Sequence, residues 1–317
     1  MTAIWHKALS LVKQESQLYL LTVIDSQGSA PGRTGFKMLV GAQNTLFGSI
    51  GGGVMEYKMV QIAQKWLSSN IIKHTIIKQV HRGGGENGSG MICSGSQIIA
   101  FNHISRNNAK LLEQLESCKN FLHLSHQGIE TTKQAPVVSS QITKHDWHFY
   151  QQLNKKTKAH IFGAGHVSLP TSQLLKQIGF EVHLYDNRKS INTFSNNHFA
   201  HSKHIIDYGN IFQQTTITCH DYVILMTHKF TEDKQLLQQL LKHKYKYLGV
   251  LGSQNKIKIL FEGLIKQGYN RTDLKTVHAP IGIKINSQST DEIAISICAE
   301  IIKIKNSFTA GISQIPL

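Results

Sequence analysis

The chain has 317 residues, 40% of them hydrophobic and 17% charged, which leaves enough apolar material for packed cores and excludes wholesale disorder. Thirty-four Lys and Arg against nineteen Asp and Glu give a formal charge of +15. The basic residues are spread along the sequence without an aromatic-basic ladder, so the charge reads as a diffuse solvated surface and no nucleic-acid partner is expected. No apolar run reaches the ~18 residues of a membrane span, and the opening lacks the layout of a secretory leader, so a cytoplasmic protein with no membrane partner is expected.

In chain order, Ile4, Ala8, Leu11, Val12 and Leu18 recur at helical intervals and predict an opening amphipathic helix over residues 1–20. Leu20 to Ile24 is a β-like run that ends in the loop Asp25-Ser-Gln-Gly-Ser-Ala-Pro-Gly-Arg-Thr-Gly35. Strands are predicted at Lys37 to Val40 and Thr45 to Gly48, followed by Ser49-Ile-Gly-Gly-Gly53 and a helix over Val54 to Leu67, with Glu56 in its first turn. Ile71 to Val80 and Gln97 to Phe101 read as strands on either side of the glycine-rich stretch Arg82 to Gly90 and the segment Met91-Ile-Cys-Ser-Gly95. Residues 106–156 carry mixed signals, with one helical patch at Ala109 to Leu115, and are expected to be a connector between an N-terminal domain at 1–105 and a C-terminal domain at 157–317.

From Lys158 the texture changes to strands alternating with helices. Strands are predicted at Ala159 to Phe162, Glu181 to Tyr185, His204 to Ile206, Asp221 to Met226 and Tyr247 to Leu251, with helices at Leu169 to Ile178 and near 231–243 and 255–266. The alternation implies a doubly wound parallel sheet of Rossmann type, preceded by a mixed α/β domain. A closing helix begins at the capping box Ser289-x-x-Glu292, and its isoleucines are rich enough for it to be largely buried.

The turn Gly163-Ala-Gly-His-Val-Ser168 sits between a predicted strand and helix, and Asp186 ends the next strand. In a dinucleotide site the first glycine permits the tight turn, the second lets phosphate approach the backbone, and the distant acid bonds a ribose hydroxyl. Thr227 and His228 follow the strand ending at Met226, at the carboxyl edge where open α/β sheets bind ligands; His228 is a candidate proton carrier or phosphate partner there. Gly252 and Ser253 end the next strand and are expected to face the same crevice, with Lys256 adding positive charge one turn later, while His166 either caps the turn or touches ligand.

The four cysteines, Cys93, Cys118, Cys219 and Cys298, show no C-x-x-C and no paired spacing with histidine. A disulfide framework and a structural zinc site are therefore unsupported. Cys298 falls on the apolar closing helix and reads as core. Cys93, inside a glycine-rich loop, reads either as a small buried strand-end residue or as a soft thiolate ligand.

The segments Gly28-Ser-Ala-Pro-Gly32, Gly48-Ser-Ile-Gly-Gly-Gly-Val-Met-Glu56 and Met91-Ile-Cys-Ser-Gly95 resemble, in that order, the amino-terminal signature of the XdhC/CoxI family. Gly163-Ala-Gly-His-Val167, Asp186-Asn-Arg188, Thr227-His228, Leu251-Gly-Ser-Gln-Asn-Lys256, Ala279-Pro-Ile-Gly282 and Asp291-Glu-Ile-Ala-Ile-Ser296 look like its carboxy-terminal Rossmann domain. The resemblance implies an accessory protein that binds molybdenum cofactor (molybdopterin), promotes its sulfuration with a cysteine desulfurase as donor, and inserts it into a xanthine dehydrogenase-type molybdenum hydroxylase. It implies a chaperone more than a turnover enzyme. Within that reading Gly28, Ser29, Gly51, Gly52 and Gly53 offer backbone N–H groups to phosphate or oxo anions, Arg33 and Arg82 add charge-assisted bonds, and Cys93 serves as molybdenum ligand or persulfide carrier. Glu56, Gly163, Gly165, His166, Asp186, Arg188, Thr227, Gly252, Ser253 and Lys256 complete the expected cofactor-binding set, with Cys93 and His228 as its reactive groups. A homodimer is expected. The alternative reading is an NAD(P)-dependent oxidoreductase resting on Gly163, Gly165 and Asp186, which leaves the first hundred residues without a role.

Overall fold

The structure is a computed structural model that describes residues 2–42, 45–81, 95–117, 120–134, 136, 138–143, 146–153 and 156–307. It divides into two units, Met1–Lys155 and Lys156–Leu317.

The first unit opens with helix α1 (Thr2–Glu15), which buries Ile4, Trp5, Ala8, Leu11 and Val12. The helix stops five residues short of its predicted end because Ser16 takes a left-handed φ of 70° and the chain leaves extended. Leu18, expected on the helix, belongs to strand β1 (Gln17–Gly28). β2 (Lys37–Val40), β3 (Leu46–Gly48), β4 (His74–His81) and β5 (Gly95–Ser105) complete an antiparallel sheet ordered β3-β2-β1-β5-β4. β1 is apolar on both faces because both are covered. Tyr19, Leu21 and Val23 pack toward α2 (Gly53–Ser68), while Leu18, Leu20 and Ile24 pack with α1 and with α3 (Ala109–Ser117). Each such buried side chain contributes ~1.5–3 kcal/mol of apolar burial. A bulge between Val23 and Asp25 breaks the β1–β5 register just before the first glycine loop and turns the strand end out of the ladder.

Residues 106–153, expected to be a connector, are part of this unit. Beyond α3 they form β6 (Phe121–Ser125), β7 (Gly128–Thr132), β8 (Ser140–Ile142) and β9 (Trp147–Gln152), a four-stranded antiparallel sheet ordered β7-β6-β9-β8. Leu122, Leu124, Trp147 and Phe149 point from it into the same core as Leu18 and Leu20.

The second unit carries the parallel sheet. β10 (Thr157–Phe162), β11 (Phe180–Asp186), β12 (Ser202–Ile205), β13 (Tyr222–Leu225) and β14 (Tyr247–Val250) are ordered β12-β11-β10-β13-β14, and every pairing is parallel. The connecting helices are α4 (Ser168–Gln177), the short α5 (Asn192–Ser195), α6 (Phe230–Leu240), α7 (Gln254–Ile265), the short α8 (Arg271–Leu274) and the closing α9 (Thr290–Ser307). α4 and α9 cover one face over Ile161, Leu175, Leu184, Ile224 and Ile297; α6 and α7 cover the other over Phe162, Val223, Leu236 and Leu260. The capping box closes as expected, with the Ser289 N–H donating to Glu292 Oε2 and the Glu292 N–H donating to Ser289 Oγ, both at 3.2 Å. α9 is only half buried: Ile297 and Ile301 are in the core, whereas Ile295 and Ile302 are exposed because the helix presents only one face to α4 and the sheet. Strand order reverses between β10 and β13, which puts the topological switch point, the usual ligand crevice of such sheets, at their carboxyl ends.

Candidate functional site

The switch point holds a cleft of about 460 Å3 lined by Gly165, His166, Val167, Ser168, Arg188, Ile191, Thr193, Met226, Thr227, His228 and Leu251. The two glycines of the turn are there for different reasons. Gly163 has φ 106°, and a Cβ on it would lie 2.3 Å from the Met226 carbonyl oxygen, so packing of β10 against β13 excludes any side chain. A Cβ on Gly165 would meet no protein atom within 4 Å and would instead stand in the cleft. Packing does not demand that second glycine; it keeps the backbone open to an approaching ligand. No side chain caps the amino end of α4, but the Ser168 N–H is taken by the Gly165 carbonyl at 3.1 Å and Pro170 has no N–H, so an anion there would meet the Leu169 N–H and the backbone of the preceding glycine turn, where the helix dipole favours it.

Two buried carboxylates knit the strand ends around this cleft. Asp186, 1% exposed, accepts four hydrogen bonds: from the Ala164 N–H at 2.7 Å, and from the Arg188 N–H, Nε and Nη2, each at 2.9 Å. Burial alone raises its carboxyl pKa, but the bonds from Arg188 and Ala164 outweigh burial and hold it below the usual carboxylate range. A carboxylate has about four lone-pair sites, so Asp186 is saturated within the protein. Arg188, pinned by this pairing, has its pKa raised and lines the cleft. On the other side Asp233, fully buried on the first turn of α6, accepts from the Thr227 N–H at 3.1 Å, Thr227 Oγ1 at 2.7 Å and Lys256 Nζ at 2.6 Å.

Of the expected crevice residues, Gly165, His166, Arg188, Thr227 and His228 come together on the cleft wall, and both histidines are exposed. Gly252, Ser253 and Lys256 are not among the lining residues. Ser253 Oγ caps α7 by accepting the Lys256 N–H at 3.2 Å, and the Lys256 ammonium is turned to Asp233 and the Leu251 carbonyl. Asp233 and Thr193 brace the cleft through hydrogen bonds that sequence patterns alone do not reveal. The Thr193 hydroxyl donates to the Ala164 carbonyl and so fixes the glycine turn from outside the motif.

In the first unit the two glycine loops meet backbone to backbone. A Cβ on Gly32 would lie 2.2 Å from the Ile50 carbonyl oxygen, and one on Gly51 (φ 130°) would lie 2.5 Å from the Gly32 nitrogen. Glu56 Oε2 takes hydrogen bonds from Ser49 Oγ at 2.7 Å and from the Ile50 and Gly52 N–H groups at 2.8 and 3.0 Å. Burial raises its pKa, and these donors together outweigh burial and lower it. The protein's own carboxylate thus occupies the Gly52 N–H that was expected to meet an external anion, and that of Ile50 beside it. A buried glutamine pair, with no signature in the sequence, supports the loops: Gln97 Oε1 accepts the Gly32 N–H at 3.0 Å, Gln97 Nε2 donates to Gln79 Oε1 at 2.8 Å, and Gln79 Nε2 donates to the Met55 carbonyl at 3.0 Å. Gly28, Ser29, Arg33 and Gly53 lie on the exposed rim of these loops. Cys93 and Arg82 lie outside the described residues. Cys298 is buried in the core, where burial pushes its thiol up to about 12, and Cys219 is exposed.

Among the described residues no cluster of three or more His, Cys, Asp or Glu could hold a metal ion, and no helix is long and apolar enough to cross a membrane.

The family model described as "XdhC and CoxI family" matches residues 11–74, and that described as "XdhC Rossmann domain" matches residues 160–301. The chain is 23% identical over 327 residues to a probable xanthine dehydrogenase subunit of Bacillus subtilis, with 93% of this chain and 96% of that protein covered. It is 23% identical over 314 residues to the uncharacterized protein YqeB of Escherichia coli, of which it spans 48%, with 99% of this chain covered. A shorter match of 106 residues, 26% identical and covering 33% of each chain, is to the molybdenum cofactor insertion chaperone PaoD of Escherichia coli. A crystal structure described as a xanthine dehydrogenase from Bacillus halodurans shares the fold, with a TM-score of 0.69 at 21% identity over 95% of this chain and 96% of that one. With one model matched in the first unit and its Rossmann partner in the second, this chain belongs to the XdhC and CoxI family.

Proposed function

We propose that the protein is an accessory factor that holds molybdenum cofactor for a xanthine dehydrogenase-type hydroxylase, supports its sulfuration by a cysteine desulfurase, and inserts it into the apo-hydroxylase. Family membership and the names borne by the relatives from Bacillus subtilis and Escherichia coli support this reading. The observation that carries it is the character of the carboxyl-edge cleft. Its two neighbouring carboxylates, Asp186 and Asp233, are paired inside the protein, so what the wall presents is the Gly165 backbone, the uncapped head of α4, the Arg188 guanidinium and His228. That is a surface for an anion.

Molybdopterin, which supplies an ene-dithiolate for the metal and a terminal phosphate when bound, meets this donor set through the phosphate. The Leu169 N–H and the backbone of the glycine turn at Gly165 would hold it, Arg188 would screen its charge, and His228 would donate a hydrogen bond or exchange a proton with it. Cys93 is proposed as the soft sulfur group that receives or relays sulfur. The NAD(P) reading needs a carboxylate free to bond ribose hydroxyls, and Asp186 has no lone pair to spare in this arrangement.

Mass spectrometry of small molecules released from freshly purified protein tests the proposal, with molybdopterin as the expected species; a nicotinamide nucleotide and no pterin would reject it. Cys93→Ala is expected to retain the fold by circular dichroism and to lower hydroxylase activation. Full activation by that variant would remove Cys93 from the sulfur step.

A further inference from the structure

The closing helix carries more isoleucine than its core contacts use. Ile297 and Ile301 are in the core, whereas Ile295 is 51% and Ile302 38% exposed. Ile295, Ala299 and Ile302 are spaced four and three residues apart, so they share one stripe of α9. The segment leading into the helix runs beside this stripe. The Ile283 N–H donates to the Ser296 carbonyl at 3.3 Å and Ser296 Oγ donates to the Ile283 carbonyl at 2.6 Å, which ties the segment along the helix with Ile283 and Ile285 both exposed. A single exposed isoleucine is ordinary; four of them along one helix make a patch of the kind that marks an interaction site.

The charges at the ends of the stripe identify what fits it. Asp291 and Glu292 stand exposed in the first turn of α9, and Lys303 stands exposed near its end; Lys305 is turned instead to the Phe180 ring at 5.1 Å. Glu292 and Lys303 are about three turns apart and lie on the same side of the helix, next to the isoleucine stripe. Glu292 Oε2 accepts from the Gln288 and Ser289 N–H groups, which leaves Oε1 to face an external cation. A helix that is acidic at its head and basic near its tail is complementary to an antiparallel copy of itself. An anionic lipid surface would attract Lys303 but repel Asp291 and Glu292, whereas a second copy answers both charges.

We propose that α9 and residues 283–285 form a two-fold contact with a second copy of this chain, the two α9 helices packed antiparallel across Ala299. A two-fold axis at that crossing sets Ile295 against Ile302 of the second copy and Glu292 against Lys303 of the second copy, each pair occurring twice. The methyl side chain of Ala299 lets the helix backbones approach closely at the axis. The contact lies wholly on the second unit and does not depend on what the carboxyl-edge cleft holds.

Sedimentation velocity of the full chain tests the assignment. A dimer is expected at about 10 μM, and Ile302→Glu is expected to make it a monomer with the thermal transition unchanged, since the replaced side chain faces solvent in the single chain. Lys303→Glu should raise the dissociation constant by about tenfold while Lys303→Arg retains the dimer. Ala299→Cys should give, on mild oxidation, a covalent dimer whose disulfide maps by mass spectrometry to position 299 in both copies; this reads the crossing point directly, whatever Ile302→Glu does to folding. A chain that stays monomeric overturns the proposal, and sedimentation of that monomer with phosphatidylglycerol vesicles would assign the patch to a membrane surface. A dimer that survives Ile302→Glu, or that forms no disulfide through position 299, uses another surface and overturns it equally. A large fall in the thermal transition of Ile302→Glu, with no disulfide through position 299, would show that the chain covers this face itself.

Discussion

At the scale of single residues, the two glycines of one turn divide into one required by packing and one that packing leaves open to the cleft. A side chain at Gly163 collides with the Met226 carbonyl, whereas one at Gly165 enters the cleft without touching protein. Gly165→Leu is therefore expected to leave the melting temperature nearly unchanged and to abolish retention of the cleft ligand, while Gly163→Ala should destabilise the second unit by more than the ~1 kcal/mol typical of an exchange, since its backbone is also held at φ 106°. Thermal unfolding together with ligand retention for the pair checks this; loss of stability in Gly165→Leu would show that packing, not a ligand, requires the glycine. The motif around Gly163 is legible in the sequence because strand, turn and helix are contiguous there. Asp233 is not: it approaches the site only because α6 returns its first turn to the end of β13, and a single sequence holds no sign that an acid six residues after Thr227 will be buried against Lys256.

At the scale of elements, the loop after β3 is held by a carboxylate of the helix it leads into. Glu56 gathers Ser49 Oγ and the N–H groups of Ile50 and Gly52, so the head of α2 and the loop are one unit. Glu56→Gln retains the size and can still turn an oxygen to these three donors, which all bond Oε2, but removes the charge that strengthens them. With the side chain partly exposed, the expected cost is about 1–2 kcal/mol, with faster amide exchange confined to residues 49–56. Exchange rates that match wild type would mean the loop is held by its backbone contacts alone. Sequence patterns locate the helix start but assign Glu56 only a dipole role, because the fold-back of the loop depends on the contact between Gly32 and Gly51. The parallel strands of the second unit are legible through their apolar runs. β6 to β9 are not, since their inward residues Leu122, Leu124, Trp147 and Phe149 alternate with His123, His148 and Tyr150, polar rings that stack on one another on the other face.

At the scale of the whole molecule, the histidines make acid the direction of weakness. His160 on β10 is 1% exposed, stacks on His183 with ring centroids 5.1 Å apart, and has its pKa lowered to about 4 chiefly by burial, against the opposing pull of Asp221. Burial also lowers His74, His103, His123 and His183. The folded state favours the neutral rings, while the unfolded chain takes up protons near pH 6.5. Between that pH and about 4 the unfolded state binds more protons, so stability falls as pH falls, and below the folded pKa the loss levels off. For His160 the full loss is of order 3 kcal/mol. Asp186, Glu56 and Glu300, whose folded pKa values are depressed, add their loss at still lower pH in the same direction. Hydrogen exchange at the β10 amides, followed from pH 7 to pH 4.5, should speed up progressively relative to the intrinsic rate. His160→Phe, which keeps an aromatic ring beside Tyr185 and His183 but cannot take up a proton, should flatten that dependence even if its stability at pH 7 is lower. An unaltered slope in the variant would assign the acid sensitivity to the other buried imidazoles, His183 first, since it shares the same stack and its Nδ1 is held by Ser202 at 2.7 Å.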